Sequence, residues 1–374
     1  MSARILIWTQ HLLGVGHFMR TAHIAQGLGE SGFDVVVASG GVTPAGFAAK
    51  GFRLVPLPAV QAKDAFFDAL VDGSGADVTP VLMDQRRQIL LSLHDALQPD
   101  CIITETFPFG RRLVEDEVLA LLARVRVRER GRRVRIVASV RDVLQRPRKD
   151  ARARDMVARA REAYDRVLVH GDPLLIPVAH SFPEMASIAD LVVYTGYVGP
   201  AWPAPQAERR GVLVSAGGGA VGEALLLAAV AAKPLTRLRD EAWLVVSGPL
   251  SQTGSLEASG IRFVRSLPDL PAQLARSVLS ISQAGYNTMT ETLAARTPCV
   301  AVPFETDRER EQITRAQRLA ALDLVSVVRS FDLAPEALAR AVDERMDRGM
   351  AAHGVNLNGV AGTVAAIRSV VGDA

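Results

Sequence analysis

A histidine and an arginine one helical turn apart stand in the run GVGHFMR, between an apolar run and a helical pattern. The glycines, Gly14 and Gly16, let a ligand approach the backbone, and a helix start offers free N–H groups to an anion. His17 can act as a general base because its pKa lies near neutral pH, and Arg20 can hold a phosphate from the same helix face. We predict that His17 and Arg20 are catalytic. The alternative is a tight turn in which His17 only caps the helix.

A second glycine-rich run, AGGGA, follows a strand pattern in the second half of the chain. Gly217, Gly218 and Gly219 precede a helical pattern, and consecutive backbone N–H groups of this kind suit a diphosphate. We predict that the three glycines contact the phosphates of a nucleotide. The alternative is a permissive connector without a ligand.

The segment SQAGYNTMTE, from Ser282 to Glu291, forms another turn followed by a helix. Gly285, Thr288 and Glu291 recur every three residues and Asn287 lies four residues before Glu291, so these side chains share one helix side. A carboxylate such as Glu291 can accept hydrogen bonds from both hydroxyls of a ribose. We predict that the four residues contact a nucleotide, although a solvated helix glutamate would show the same pattern.

We predict a further helix that opens at Thr306, where Thr306 and Glu309 fit a capping box. Arg308, Gln312 and Arg315 then follow at spacings that place them on one face, where they could contact phosphate or sugar hydroxyls. A solvent-facing helix surface would have a similar composition.

The elements that position these residues alternate between strands and helices. Arg4–Trp8 is typical of a buried strand, His17–Gly29 of a helix and Asp34–Ala38 of the next strand, which is a βαβ unit in a parallel sheet. We predict an α/β protein with a first Rossmann-like domain at 1–196, a linker at 197–210 and a second such domain at 211–374. An alternative for the last helix is that it packs back on the first domain. Two doubly wound domains would face each other across a cleft.

Composition excludes several functional classes. The chain has 374 residues, of which 49% are apolar and 22% charged, as in a soluble globular protein. Cys101 and Cys299 lie in strand patterns. The sequence contains no CxxC or HExxH motif, so we predict no metal site. The N-terminus lacks the pattern of a signal peptide and no apolar run is long enough to span a membrane, so we expect a cytoplasmic protein.

The formal net charge is +3, and arginine is concentrated at 122–135 and 146–161. These stretches indicate either solvated helix faces or attraction to an anionic membrane surface or an acidic substrate. Aromatic residues make up only 5% and do not alternate with the arginines, so we expect no nucleic-acid partner.

On these residues the chain resembles the GT-B glycosyltransferases, and most of all the family 28-like branch that contains the lipid II N-acetylglucosaminyltransferase and its predicted-glycosyltransferase relatives. Gly14–His17 and Gly217–Gly219 are similar to the two glycine loops of that family. Ser282–Glu291 resembles the segment whose glutamate binds the nucleotide ribose. Pro303-Phe304 and Glu311-Gln312 resemble its donor-binding PF and QQ pairs, whereas Arg315 stands where the family often has asparagine.

The resemblance implies transfer of a sugar from a nucleotide diphosphate sugar, expected to be UDP-linked, to a hydroxyl or amine of an unidentified acceptor. His17 would be the base, the first domain would take the acceptor and the second the donor, and no metal or cofactor would be needed. Helix-start N–H groups with Arg308 or Arg315 would stabilise the leaving diphosphate. Two alternatives stay open: a nucleotide-sugar hydrolase, whose GxGHxxR histidine activates water, and a non-catalytic nucleotide-sugar-binding protein.

Overall fold

The computed structural model of the protein divides the chain into two compact units. The first unit is Met1–Val198 with Asn358–Ala374, and the second unit is Gly199–Leu357. The residues that the structure describes are 2–63, 69–126, 133–204, 206, 208–217, 222–248, 260–267, 269–307 and 309–372.

The first unit contains a seven-stranded parallel sheet and a short antiparallel pair. Its strands are β1 (Arg4–Thr9), β2 (Asp34–Ser39), β3 (Arg53–Pro56), β4 (Val60–Ala62), β5 (Leu70–Asp72), β6 (Cys101–Glu105), β7 (Arg135–Arg141), β8 (Arg166–His170) and β9 (Val192–Tyr194). The sheet order is β3-β2-β1-β6-β7-β8-β9, and β4 pairs with β5. Its helices before the second unit are α1 (Gly16–Glu30), α2 (Pro80–Leu97), α3 (Glu115–Arg126), α4 (Asp150–Ala163) and α5 (Val178–Ser181), with 3-10 turns at Arg112–Val114 and Pro183–Ile188.

The second unit contains a six-stranded parallel sheet in the order β12-β11-β10-β13-β14-β15. Its strands are β10 (Val212–Ser215), β11 (Trp243–Val246), β12 (Ile261–Val264), β13 (Leu279–Ser282), β14 (Cys299–Ala301) and β15 (Ser326–Val327). Its helices are α6 (Glu223–Ala232), α7 (Leu270–Arg276), α8 (Tyr286–Ala295), α9 (Glu311–Ala321) and α10 (Pro335–Arg348), with 3-10 turns at Lys233–Leu235 and Ser330–Asp332.

The continuous apolar strands of the first unit are explained by helices on both faces of its sheet. Ile5 and Ile7 of β1 belong to one buried cluster, and Leu6 and Trp8 to another. Because side chains alternate across a strand, a strand covered on both faces must be apolar at every position. The predicted α/β class with two Rossmann-like parallel sheets is confirmed.

The final helix, α11 (Gly359–Gly372), packs on α1 in the first unit. Two of its glycines lie against the segment that follows β9, because an added Cβ would lie 2.5 Å from Gly196 O at Gly359 and 2.1 Å from Thr195 O at Gly362. Such contacts leave no room for a side chain. The chain thus returns to the first unit, and the assignment of the units to acceptor and donor stays a prediction.

One predicted helix start differs from the structure. The helix expected from Thr306 begins at Glu311. Thr306 and Glu309 instead close a turn, in which the Glu309 N–H donates to Thr306 Oγ1 at 3.0 Å and the Glu309 carbonyl accepts from the Thr306 N–H. Polar residues that favour helix caps also favour such turns, so the local sequence does not distinguish the two.

Candidate functional site

The site in the first unit lies where the connections of the sheet reverse direction. Strand β1 lies between β2 and β6, so the loops after β1 and β6 leave toward opposite faces of the sheet. In open parallel sheets, ligands bind at such a point beyond the carboxyl ends of the strands. The loop after β1 leads to His17 on α1, and β6 ends at Glu105.

The central contact joins His17 to Glu105, with Nδ1 of the imidazole 2.6 Å from Oε1 of the carboxylate. The side chain of His17 is 15% exposed and that of Glu105 is 1% exposed. A ring that donates from Nδ1 to a carboxylate carries its lone pair on Nε2, so Nε2 is the atom that can accept a proton. Glu105 was missed by our sequence analysis, and the available signal was an acidic residue that ends the apolar strand CIITE.

Arg20 and Thr106 hold the same carboxylate oxygen. Nη2 of Arg20 donates to Glu105 Oε1 at 2.5 Å, and Oγ1 of Thr106 donates to it at 2.6 Å. Arg20 is 1% exposed. Arg20 therefore positions the carboxylate that holds His17, and a contact of Arg20 with a phosphate stays a prediction.

The charges around Glu105 set its protonation and that of His17. Burial by itself would raise the pKa of Glu105, but His17, Arg111 and Arg20 hold it well below its usual range. Burial, together with the positive charge of Arg111 and Arg141, lowers the pKa of His17 well below its ordinary value despite the opposing effect of Glu105. At neutral pH the site thus holds an ionised carboxylate and a neutral imidazole, which is the state that a general base requires.

Gly14 and Gly16 stand at the start of α1. Gly16 is the first residue of the helix, and a Cβ at Gly14 would meet no atom within 4 Å among the described residues. Packing therefore does not require a glycine at position 14. Open space at this backbone position is compatible with the predicted approach of a ligand.

In the second unit, glycines likewise follow the strands β10 and β13. Gly217 follows β10 with a φ of +74°, in the region that favours glycine, and an added Cβ would lie 3.5 Å from Gln283 Oε1. Gly218 and Gly219 lie outside the described residues. After β13, Gly285 precedes α8 as its N-cap residue, and a Cβ there would meet no atom within 4 Å among the described residues.

Asn287 and Thr288 lie in the first turn of α8 and Glu291 lies one turn later. Burial raises the pKa of the Glu291 carboxyl to about 7, and no other group shifts it. Among the described residues, Glu291 makes no hydrogen bond or ion pair. A partly exposed carboxyl without a hydrogen-bond partner among these residues is available to accept hydrogen bonds, which fits the predicted contact with ribose hydroxyls.

Gln312 and Arg315 join the loops of the second unit. Oε1 of Gln312 accepts from the backbone N–H of Ala284 at 3.1 Å and from that of Phe304 at 3.0 Å. Nη1 of Arg315 donates to Ala284 O at 2.8 Å, and Nη2 donates to Oε1 of Glu311 at 2.8 Å.

Arg315 is 1% exposed and its guanidinium lies 5.6 Å from the ring centre of Tyr286. These internal contacts differ from the predicted contact of Arg315 with phosphate or sugar: the Arg315 side chain shapes the loop after β13. Glu311 and Gln312 stand in the first turn of α9 beside it, and Arg308 lies outside the described residues.

Two polar groups near the carboxyl edge of the first sheet have structural partners. His170 is fully buried, with Ser139 Oγ 2.8 Å from Nε2 and Thr195 Oγ1 2.8 Å from Nδ1. Asp142 accepts from the Val143 N–H at 2.9 Å and from Tyr197 Oη at 3.0 Å. These contacts fix loop positions around the site.

The part of the chain that the structure describes has neither a metal cluster nor a membrane-spanning helix. Within that part, no group of three or more His, Cys, Asp or Glu side chains is arranged to hold a metal ion. None of its helices combines the length and apolar character needed to cross a membrane.

Comparison with known sequences gives a family match in the second unit. Residues 222–357 match the Glycosyltransferase family 28 C-terminal domain. A similar curated protein is the UDP-N-acetylglucosamine--N-acetylmuramyl-(pentapeptide) pyrophosphoryl-undecaprenol N-acetylglucosamine transferase of Methylobacterium radiotolerans. It is 33% identical over 81 residues, which is 22% of this chain and 22% of that protein. The match thus spans about a fifth of the length of the relative.

Solved structures match nearly the whole chain. The MurG structure of Acinetobacter baumannii has a TM-score of 0.61 and 17% identity, covering 98% of this chain and 99% of its own. The Arabidopsis thaliana UGT89C1 structure, complexed with UDP, has a TM-score of 0.63 and 13% identity over 99% of this chain and 100% of its own. The predicted resemblance to GT-B, family 28-like glycosyltransferases is confirmed, with the fold carried by the structures and the family match by the second unit.

Proposed function

We propose that the protein is a glycosyltransferase that moves a sugar from a nucleotide diphosphate sugar to a hydroxyl or amine of an acceptor. The observation that carries this proposal is the 2.6 Å contact between His17 Nδ1 and Glu105 Oε1 at the switch point of the first sheet. The match of residues 222–357 to a glycosyltransferase domain supports a role of the second unit in the same reaction.

In this mechanism Nε2 of His17 removes the proton of the acceptor as its oxygen or nitrogen attacks the anomeric carbon. The bond between the anomeric carbon and the diphosphate oxygen breaks, and the nucleoside diphosphate leaves as an anion. The positive charge that forms on the imidazole is stabilised by Glu105, which stays ionised because Arg20 and Arg111 lie beside it. The three hydrogen bonds to Glu105 Oε1 fix the carboxylate before the acceptor arrives. A fixed partner of this kind stabilises charge without reorganisation during the reaction.

The donor would lie at the carboxyl edge of the second sheet. The first-turn amides of α8 and the loop at Gly217 offer N–H donors to the diphosphate, and Glu291 offers its carboxyl to the ribose. We propose uridine as the base, because the similar curated transferases use a UDP-linked sugar and the similar plant structure holds UDP. A metal-independent reaction, in the absence of any other cofactor, is part of the proposal.

The acceptor is unidentified, and a peripheral contact with an anionic membrane is a further part of the proposal. Arg152 and Arg154 of α4 support such a contact, because basic side chains attract an anionic surface. A cytoplasmic location and the absence of a nucleic-acid partner stay predictions.

The first test is a thermal-shift screen of nucleoside diphosphates followed by turnover of UDP-N-acetylglucosamine. A ligand at 100 times its dissociation constant should stabilise the fold by about 2.7 kcal/mol. Turnover is followed by NMR of both products, with and without candidate acceptors. A screen in which no nucleotide stabilises the protein would contradict the proposal. Release of free sugar at one rate with or without acceptors would identify a hydrolase instead.

The second test is Glu105→Gln, which keeps the shape of the side chain and removes its charge. A hydrogen bond to a charged group contributes about 1.5–3 kcal/mol, so we expect turnover to fall about 10- to 100-fold while the thermal shift by nucleotide stays unchanged. Unchanged turnover in this variant would remove Glu105, and with it the proposed His17 arrangement, from the mechanism.

A further inference from the structure

A cavity of about 250 Å³ lies in the first unit between α4 and the segment that follows β6. Its volume is below the range of drug-sized pockets, so it fits a small metabolite. One wall is formed by Pro108, Gly110, Arg112 and Glu115, and the other wall by α4. None of the lining residues belongs to the proposed reaction site.

Helix α4 turns one charged face to the cavity. Its lining residues recur at helical spacing and therefore share that face: Arg152, Asp155, Met156 and Arg159. The adjacent face holds Ala153 and Val157 in the core of the first unit. Because this apolar packing fixes the rotation of the helix, the fold itself keeps the charged face toward the cavity.

An ion pair joins the two walls. Nη1 of Arg159 donates to Oε2 of Glu115 at 2.9 Å, and the Arg159 guanidinium lies 5.5 Å from the ring centre of Phe107. Phe107 is buried in the core, so the guanidinium rests on a fixed aromatic ring. This pair satisfies two of the charged groups and holds α4 against the segment that begins α3.

The other charged groups of the cavity are unpaired within the described part of the chain. The side chains of Arg112, Arg152 and Asp155 make no hydrogen bond or ion pair with any described residue. Asp155 lies three residues after Arg152 and four before Arg159, spacings at which helical side chains meet, yet it pairs with neither. The cavity thus presents two guanidinium groups and one carboxylate to the same space.

This set of groups matches a molecule that carries both charges. Guanidinium groups bind a carboxylate, and the carboxylate of Asp155 can accept hydrogen bonds from an ammonium group. A plain anion would meet the like charge of Asp155, and a plain cation would meet two arginines. Met156 and Pro108 add apolar surface, which suits a short apolar side chain.

We propose that this cavity binds a small α-amino acid with an apolar side chain. The proposal goes beyond sugar transfer and is independent of it, because it requires neither a nucleotide nor an acceptor. The rival explanation is that Arg112, Arg152 and Asp155 are ordinary solvated surface charges, in which case no amino acid binds there.

The test is calorimetric titration of the whole protein with L-leucine, L-methionine and L-valine at constant ionic strength. The tightest of them is then compared with two analogues, one lacking the amine and one lacking the carboxylate. For L-leucine these are 4-methylpentanoate and 3-methylbutylamine. Each analogue should bind at least about tenfold more weakly, which is the loss expected for one charge-assisted contact.

Variants of the cavity locate the binding. Arg152→Met and Asp155→Asn should each weaken the amino acid at least about tenfold, for the same reason. The matched control is Arg154→Met, at an exposed position of α4 outside the cavity, which removes the same charge and should leave the affinity unchanged. Arg112→Met changes the opposite wall, and it decides the question if the α4 variants fail to fold.

Several outcomes would overturn the proposal. They are no binding of the three amino acids, equal affinity in wild type and the cavity variants, or an equal loss in Arg154→Met. Binding of the amine-free analogue as tightly as the amino acid would identify a plain anion site and would also overturn it. Amino-acid binding without any stabilisation by nucleotides would leave this proposal standing and remove the transferase proposal, and the reverse result would do the opposite.

Discussion

The carboxyl edges of the two sheets differ in how completely their charged groups are already paired. In the first unit, Glu105 receives hydrogen bonds from three side chains within 2.6 Å. In the second unit, Glu291 has no such partner among the described residues, and burial raises its pKa to about 7. Both units share the strand, loop and helix arrangement. They differ in their carboxylates, since Glu105 is held by hydrogen bonds and Glu291 is not.

This difference fits the two tasks that we propose for the units, proton transfer in the first and donor binding in the second. A proton-transfer group must be oriented before the reaction, and a carboxylate held by Arg20 and Thr106 orients His17 through a short bond. A binding site must instead keep hydrogen-bonding groups available for the ligand, at some cost to the stability of the free protein. The second unit fixes its loops through Gln312 and Arg315 and leaves Glu291 available.

The largest expected effect is the loss of turnover in His17→Ala, which tests whether the first unit carries the chemistry and the second binds the nucleotide. His17→Ala should lower turnover of the donor about 10²- to 10⁴-fold, the usual contribution of a general base. Stabilisation by nucleotide should be unchanged, because His17 belongs to the first unit. Steady-state kinetics and thermal shift measure the two effects. The control is His180→Ala, at an exposed position of the first unit, which should keep wild-type turnover. Wild-type turnover in His17→Ala would contradict the proposed difference between the two units.

The second prediction concerns the pH dependence of stability caused by Glu291. Its pKa of about 7 in the folded protein exceeds the ordinary value near 4.3, so the folded protein retains a proton that the unfolded chain has released. The unfolding free energy should therefore fall as pH rises between about 4.3 and 7 and level off above 7. Glu291→Gln should remove this loss and make the variant more stable than wild type at pH 8, by at most about 1.4 kcal/mol per pKa unit of the shift.

Chemical unfolding at pH 4 and pH 8 measures this difference, and partial exposure of the carboxyl will reduce it. Glu336→Gln, at an exposed helical position of the second unit, keeps Glu291 and should show the same pH dependence as wild type. If Glu291→Gln and wild type had the same pH dependence, the carboxyl would be ionised in the free protein and the contrast between the two sites would disappear.

A third prediction tests whether the loops of the second unit depend on Gln312. Gln312→Met removes the acceptor shared by the Ala284 and Phe304 N–H groups and keeps a similar shape. Leaving such groups unsatisfied costs about 1–3 kcal/mol, so the unfolding free energy and the nucleotide affinity should both fall. Thermal unfolding with and without UDP measures both quantities. Gln317→Met, exposed on the same helix, should behave as wild type.

The smallest expected effect on stability is that of Gly285→Ala. The added Cβ meets open space and φ is −63°, so the unfolding free energy should change by no more than about 0.5 kcal/mol. Nucleotide affinity should fall, because the methyl group occupies the space where the ligand approaches the helix start. Gly359→Ala, whose Cβ would lie 2.5 Å from Gly196 O, should instead destabilise the fold. Full nucleotide affinity in Gly285→Ala would place the ligand elsewhere.

Most of the fold could be predicted from the local pattern. The boundaries of α2 and β8 coincide with those read from the apolar periodicity, since both elements have clear start and stop signals. The start of α9 could not be predicted in this way, because Thr306 and Glu309 satisfy each other in a turn as readily as in a capping box. The short helix α7 was missed, since Leu270–Arg276 is too brief to show a helical period.

The sequence by itself determined which residue types stand at the ends of which strands. It thereby predicted the loop at His17 and the segment containing Glu291 as candidate parts of the functional site. Only the tertiary structure decided what each residue contacts. Glu105 is 88 residues from His17 along the chain and meets it because β6 pairs beside β1. Arg20 and Arg315 had the composition of ligand-binding residues, but their neighbours in space are a buried carboxylate and a loop carbonyl. Parallel pairing brings distant segments to one edge, and that long-range geometry is absent from any local pattern.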